Sequence, residues 1–276
     1  MVRRAICGFL VVMSFASMAA AKKLKPETIA AFDRYVAKTE QRMGGELNGG
    51  PFIWIDGLPP QERDAEYARL HKGEVVTKRL QTSENGRTIE APDGLIHHWV
   101  GVAFIPEVSI SKTLTFLQDY DNQYKYYAPD VERSRLISRV GNNFKIYLRL
   151  RRRKVVTVVL NTEYDVSYTI LGNDRATARS YSTRINEVQN AGKMDESEKP
   201  VGDDNGFIWR LNSYWRFWQK DGGTYVQLEA VSLTRDIPTG LGWLIRPFIT
   251  SVPEESLAFT LSRTRQALCC DNKLQK

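Results

Sequence analysis

Cysteine and histidine are both scarce in this chain, with three of each among 276 residues. Cys7 sits in an apolar stretch with no small-residue lipobox before it, so lipid attachment there is not expected. Cys269 and Cys270 are adjacent, and neighbouring cysteines rarely bridge each other because a disulfide needs separated Cα atoms. A disulfide framework is therefore excluded, and the fold has to rely on its core. His97 and His98 also adjoin each other, and successive strand residues point to opposite faces, so they do not chelate one metal together. His71 is the third histidine, and no metal site or cofactor is expected. A Gly-x-Ser-x-Gly elbow, a Walker loop and a dinucleotide fingerprint are absent too, so no catalytic residue is assigned.

Long apolar runs are few. The one from Ala5 to Ala16 follows Arg3-Arg4 and ends at Ala19-Ala20-Ala21, the pattern of a signal peptide spanning residues 1–21. The run is short for a membrane span and is followed by Lys22-Lys23, so export to a periplasmic or secreted location is expected. Removing 21 of 276 residues leaves 255, enough for one sizeable core and short for two full domains. The formal charge of +7 falls to about +5 without Arg3 and Arg4. That modest excess favours solubility and a mild attraction to anionic surfaces, and it is no nucleic-acid signature.

What the chain does have is an aromatic-rich C-terminal third. From Gly206 to Lys220, Trp209, Leu211, Ser213, Trp215 and Phe217 share one parity, while Arg210, Asn212, Tyr214, Arg216 and Trp218 share the other, which predicts a strand. Asp221-Gly222-Gly223 predicts a tight hairpin into a second strand from Thr224 to Leu233. Ser251-x-x-Glu254 reads as a capping box with Pro253 in the first turn, predicting a helix through Leu257, Leu261 and Leu268. A long helix across a curved sheet leaves a slot between the layers, and that slot is the functional expectation. Thr239-Gly-Leu-Gly-Trp243 before the helix reads as a hinge.

Upstream, Pro26 begins a helix that Gly44-Gly45 should stop, and Phe52-Ile-Trp-Ile55 is a short apolar plug. Pro59-Pro60 leads a second helix closed by Gly73. Two β-rich runs, Glu74 to Thr82 and Leu95 to Ile105, predict a first hairpin. Ser109 caps a helix bearing Ile110, Leu114 and Leu117, and four strands follow: Val131–Val140, Phe144–Arg151, Val155–Tyr168 and Ala176–Val188. Asn190 to Asn205 reads as a solvated loop.

The run Trp99 to Ile105, Pro106, the helix Val108 to Asp119, and Tyr126-Tyr-Ala-Pro-Asp-Val131 resembles the opening of START-like domains, the Bet v 1-like or polyketide-cyclase-like superfamily. The ending, Tyr225 to Leu233, a Gly-Trp loop, Pro247-Phe248 and the helix from Pro253, is similar too. The resemblance covers about residues 95–268. It implies an α+β helix-grip fold, a curved antiparallel sheet wrapped around a long C-terminal helix and a hydrophobic cavity. Members bind lipids, sterols or polyketides, and a minority are cyclases or hydratases without universal catalytic residues. Residues 22–94 then form an N-terminal helical extension with the first strand, over the cavity mouth or outside it, and residues 95–270 the START-like domain.

The expected ligand-binding set is Trp209, Leu211, Ser213, Trp215, Phe217, Glu229, Trp243, Leu257 and Leu261. Glu229, mid-strand, needs a cationic partner if buried, with Arg235 or Arg210 available. The expected partner is a hydrophobic small molecule or lipid, held by a monomer without nucleic acid. The alternatives are a cyclase or hydratase using Glu229, His97 or His98 with a tyrosine, and a non-catalytic envelope module with a filled core. Arg149, Arg151, Arg152, Arg153 and Lys154 make a basic run that reads as a solvated hairpin tip or as a weak contact with an anionic membrane surface.

Overall fold

The structure is a computed structural model that describes residues 23–154, 156–236 and 242–274, with side chains excluded at 242–250 and 270–274. The leader, most of the hinge and the Trp243 side chain lie outside the described residues. Helix α1 (Pro26–Leu47), a single 3-10 turn (Trp54–Gly57) and α2 (Pro60–His71) precede β1 (Val76–Arg79). A small hairpin, β2 (Ser83–Glu84) and β3 (Arg87–Thr88), leads to β4 (Gly94–Pro106), then α3 (Ile110–Gln118) and α4 (Gln123–Tyr126). Strands β5 (Val131–Val140), β6 (Asn143–Arg153), β7 (Thr157–Ile170) and β8 (Arg175–Gln189) form a meander. After β9 (Ser197–Glu198) come β10 (Arg210–Lys220), β11 (Gly223–Arg235) and α5 (Gly242–Leu274).

One antiparallel sheet runs in the order β1-β4-β11-β10-β8-β7-β6-β5, with β9 on β8. The alternation of side chains gives it two working faces. On the inner face, Leu257, Leu261 and Leu268 of α5 are 3 %, 0 % and 0 % exposed. Each such leucine contributes about 1.5–3 kcal/mol by burial. They dock where β4 has no side chain: a Cβ on Gly101 would collide with Leu257 and stand 2.9 Å from Leu261 Cδ1. This is the helix-grip arrangement that the resemblance implied.

The outer face is covered as well. Phe32, Tyr35 and Met43 of α1 pack on Tyr214, Val231 and Leu233, while Phe52, Ile53, Ile55 and Leu70 pack on Val102, Phe104 and Tyr225. The N-terminal extension therefore lies outside, against the back of the sheet, and β1 joins the same sheet by pairing with β4.

Two helix ends differ from expectation. Helix α1 continues through Gly44-Gly45 to Leu47, because Glu46 is held by Arg42 and Arg216. Those anchors offset the roughly 1 kcal/mol that each interior glycine costs. Helix α5 begins at Gly242, so Ser251 and Pro253 lie inside it. The apolar residues before Ser251 extend the helical run, and an interior proline removes one backbone bond without ending a packed helix. Glu254 closes no capping box and instead accepts a hydrogen bond from Thr77 Oγ1 at 2.9 Å.

Candidate functional site

Strand register assembles the inner face row by row. Trp99 faces Ala230, Ala230 faces Ser213, Ser213 faces Ser180 and Ser180 faces Val166. One step along, Gly101, Leu228, Trp215, Ala178 and Tyr168 form the next row. Phe144, Val166, Ala176, Phe217 and Val226 are sealed in the core. Trp99, Leu211, Trp215 and Ala230 are only partly buried against it, and Ser213 lies among them half-buried. Trp215 stacks on buried Phe217, ring centroids 6.1 Å apart. A cluster of large apolar side chains that stays half-open beside a closed core is a surface suited to an apolar guest.

Of the expected ligand set, Leu211, Ser213, Trp215, Phe217, Leu257 and Leu261 thus share the inner side. Trp209 and Glu229 do not. The Trp209 N–H donates to Leu233 O at 2.8 Å, and Leu233 also faces Arg210. Two residues of one strand then stand opposite one of the other, a β-bulge that reverses parity. Trp209 is carried to the outer face, where it packs with α1 and donates Nε1–H to Asp204 at 2.9 Å.

Glu229 is buried on the outer face, and its partners are neither Arg235 nor Arg210. The Tyr35 hydroxyl accepts from the Thr82 N–H and lies next to His98 Nδ1, both at 2.9 Å, and His98 Nε2 donates to the Glu229 carboxylate at 2.7 Å. Arg42 completes the set with an ion pair to the same carboxylate oxygen. Burial alone would raise the Glu229 carboxyl, but the hydrogen bond from His98 and the charges of His98, Arg42 and Arg216 hold it below the usual carboxylate range. Arg216, 3 % exposed, reaches Phe52 O at 2.9 Å and Glu46 at 2.5 Å. Glu40 accepts from Tyr181 and Tyr214 at 2.6 and 2.8 Å. This network fastens α1 to the sheet, and the same chain that satisfies its charges seals it from substrate.

His97, on the inner parity, is 3 % exposed, with Nε2 3.0 Å from Thr234 Oγ1. Burial and the Arg79 charge lower its pKa from 6.5 to about 4. Its folded pKa lies below its unfolded one, so the unfolded chain takes up the proton first and stability falls as pH drops from about 6.5 towards 4. In urea titrations between pH 7 and 5, His97→Gln is expected to flatten that slope; an unchanged slope would refute the assignment.

Arg149, Arg151, Arg152 and Lys154 of the basic run are paired with acids from elsewhere in the chain. Arg149 binds Glu132 and Glu196, Arg151 binds Glu132, Arg152 binds Asp130 and Glu255, and Lys154 binds Glu255. These acids cancel most of the charge that a membrane surface would attract. Among the described residues, no group of three metal-ligating side chains is assembled.

Sequence alone did not single out Trp99 or the phenol pair Tyr120 and Tyr168, whose hydroxyls lie 2.8 Å apart on the inner side. The alternation around Trp99 was a usable signal; the phenol contact joins residues 48 positions apart.

No protein-family model matches the chain, and no curated protein matches it. Solved structures with a similar arrangement include a STAR-related lipid transfer protein from Xanthomonas axonopodis, at 16 % identity and TM-score 0.43, covering 69 % of this chain and 98 % of that one. The Zhui aromatase/cyclase from a Streptomyces species has 10 % identity and TM-score 0.43, covering 63 % and 94 %. Human STARD10 has 11 % identity and TM-score 0.42, covering 76 % and 80 %. The START-like assignment is one of fold, and it rests on this chain's own strand order and gripping helix.

Proposed function

We propose that the protein binds a hydrophobic small molecule or lipid on the inner face of the sheet, beside α5. The observation that carries this reading is the half-open cluster of Trp99, Leu211, Ser213, Trp215 and Ala230 next to a sealed core. Export under the leader of residues 1–21 and a monomeric state belong to the same proposal. Of the groups that the cyclase or hydratase alternative would use, Glu229 and His98 are enclosed on the opposite face by α1, while His97, on the inner parity, is buried beside Thr234.

Native mass spectrometry and solvent extraction of protein purified from its own compartment test the reading. A copurifying apolar molecule is the expected result, and protein that is repeatedly empty and captures no apolar probe overturns it. Trp215→Ala is expected to abolish capture while costing less than the roughly 3–5 kcal/mol of a fully buried tryptophan. A full-sized loss of stability with capture unchanged would mean that Trp215 is plain core.

A further inference from the structure

The basic tip of the β6–β7 hairpin reaches across the molecule to α5. That helix rests on β4, with Leu257 and Leu261 over Gly101, and Glu254 accepts a hydrogen bond from Thr77 of β1. The next residue, Glu255, is reached from the opposite side of the sheet. Arg152 Nη2 donates to Glu255 Oε2 at 3.0 Å, and Lys154 Nζ lies 2.7 Å from the same oxygen and 2.8 Å from Oε1. In the order β4-β11-β10-β8-β7-β6, β6 stands five places from β4. A flat sheet would set the two about 24 Å apart. The sheet therefore curls until its hairpin tip meets the helix, and the inner rows of β11, β10 and β8 are enclosed between the two contacts.

Farther along α5 the same seam is closed by different chemistry. The buried hydroxyls of Tyr127 and Thr264 are 2.8 Å apart, and Arg263 donates to Ala128 O at 3.1 Å. At the hairpin tip the closure is ionic and open to water: the side chains of Lys154 and Glu255 are 37 % and 38 % exposed. Ion pairs that exposed are weak, whereas buried leucines hold firmly. The neighbouring Arg153 and Val156 are exposed as well. The seam thus parts at Glu255 before α5 leaves β4.

Resting on the proposed apolar site, we infer that Arg152, Lys154 and Glu255 form a latch: the β6–β7 tip lets go of α5 at Glu255, swings out to admit a ligand to the inner face, and re-forms the ion pairs behind it. The helix keeps its seat on Gly101 throughout. The latch gives the basic run a role within the chain itself.

The test reads access without any ligand. Ser213→Cys places a thiol on the half-buried part of the inner face. The rate at which N-ethylmaleimide labels that position in the full-length chain, followed by peptide mass spectrometry, measures how often the face opens. Adding Glu255→Gln is expected to raise the rate about three- to tenfold. Glu132→Gln removes two ion pairs from the same basic run, those of Arg149 and Arg151, without touching α5, and is expected to leave the rate within about twofold. Lys154→Glu should also accelerate labelling, and Lys154→Glu combined with Glu255→Lys should bring it back towards the native rate, a rescue that general loosening does not produce. Thermal melts establish that the variants are folded. With N-phenyl-1-naphthylamine as the apolar probe, entry and release should both quicken in Glu255→Gln while Kd stays within about twofold. An unchanged labelling rate in Glu255→Gln, equal acceleration by Glu132→Gln, or no rescue by the charge swap overturns the latch, and capture experiments still decide the apolar site. If the labelling pattern is as expected but the native protein captures no apolar probe, the proposed function falls and the latch stands.

Discussion

Glu229→Ala should lower the free energy of unfolding by about 3–5 kcal/mol, the usual cost of removing one partner from a buried charged pair. The substitution leaves the His98 Nε2–H and the Arg42 guanidinium facing a void, with the buried Arg216 charge close enough to be felt. Because Arg42 is 40 % exposed it recovers some hydration, which places the expected loss nearer the lower figure. The Glu229 carboxyl titrates below 4.5 in the folded protein, so its contribution is fully present above about pH 4.5 and is lost as pH falls through the folded value. The gap between native and Glu229→Ala urea midpoints should therefore be constant from pH 8 to 5 and narrow below 4.5. A loss under about 1 kcal/mol at pH 7 would show that α1 is held by its apolar contacts alone.

That network also marks where sequence reading stopped. The meander was legible because alternation and turn residues are local: the strand expected at Val131–Val140 has those bounds in the structure, and the others differ by a few residues. The parity of Leu211, Ser213, Trp215 and Phe217 was legible for the same reason. Trp209 was not, since its bulge comes from a loop that anchors its indole to Asp204. Glu229 was read as an acid that needs a cation if buried, yet its partners stand 131 and 187 positions away, and no spacing rule reaches that far. Its face was ambiguous too, because β11 is buried along nearly its whole length on both sides, which erases the contrast between core and solvent. The start of α5 was missed where a local capping pattern followed a largely apolar run that the helix takes in.

Leu261→Ala should cost about 2–5 kcal/mol, because Leu261 is fully buried and the rigid sheet beneath it gives the cavity little chance to collapse. Gly101→Ala should be destabilising by a different route. Its new methyl group meets Leu257, lies 2.9 Å from Leu261 Cδ1 and 3.3 Å from Thr77 Cγ2, and so drives α5 off β4. Combined, the two changes should lose less than their sum, by about 0.5–3 kcal/mol, since the shortened side chain makes room for part of the added methyl. Only part is relieved, because Leu257 still occupies the other side. Strict additivity in urea denaturation would mean that α5 does not rest on Gly101. The coupling bears on the binding proposal: a helix pinned to β4 by this contact leaves Leu211, Ser213 and Trp215 of β10 uncovered by those leucines. Loosening it through Gly101→Ala should then alter capture of an apolar probe far less than Trp215→Ala does, although it weakens the fold more.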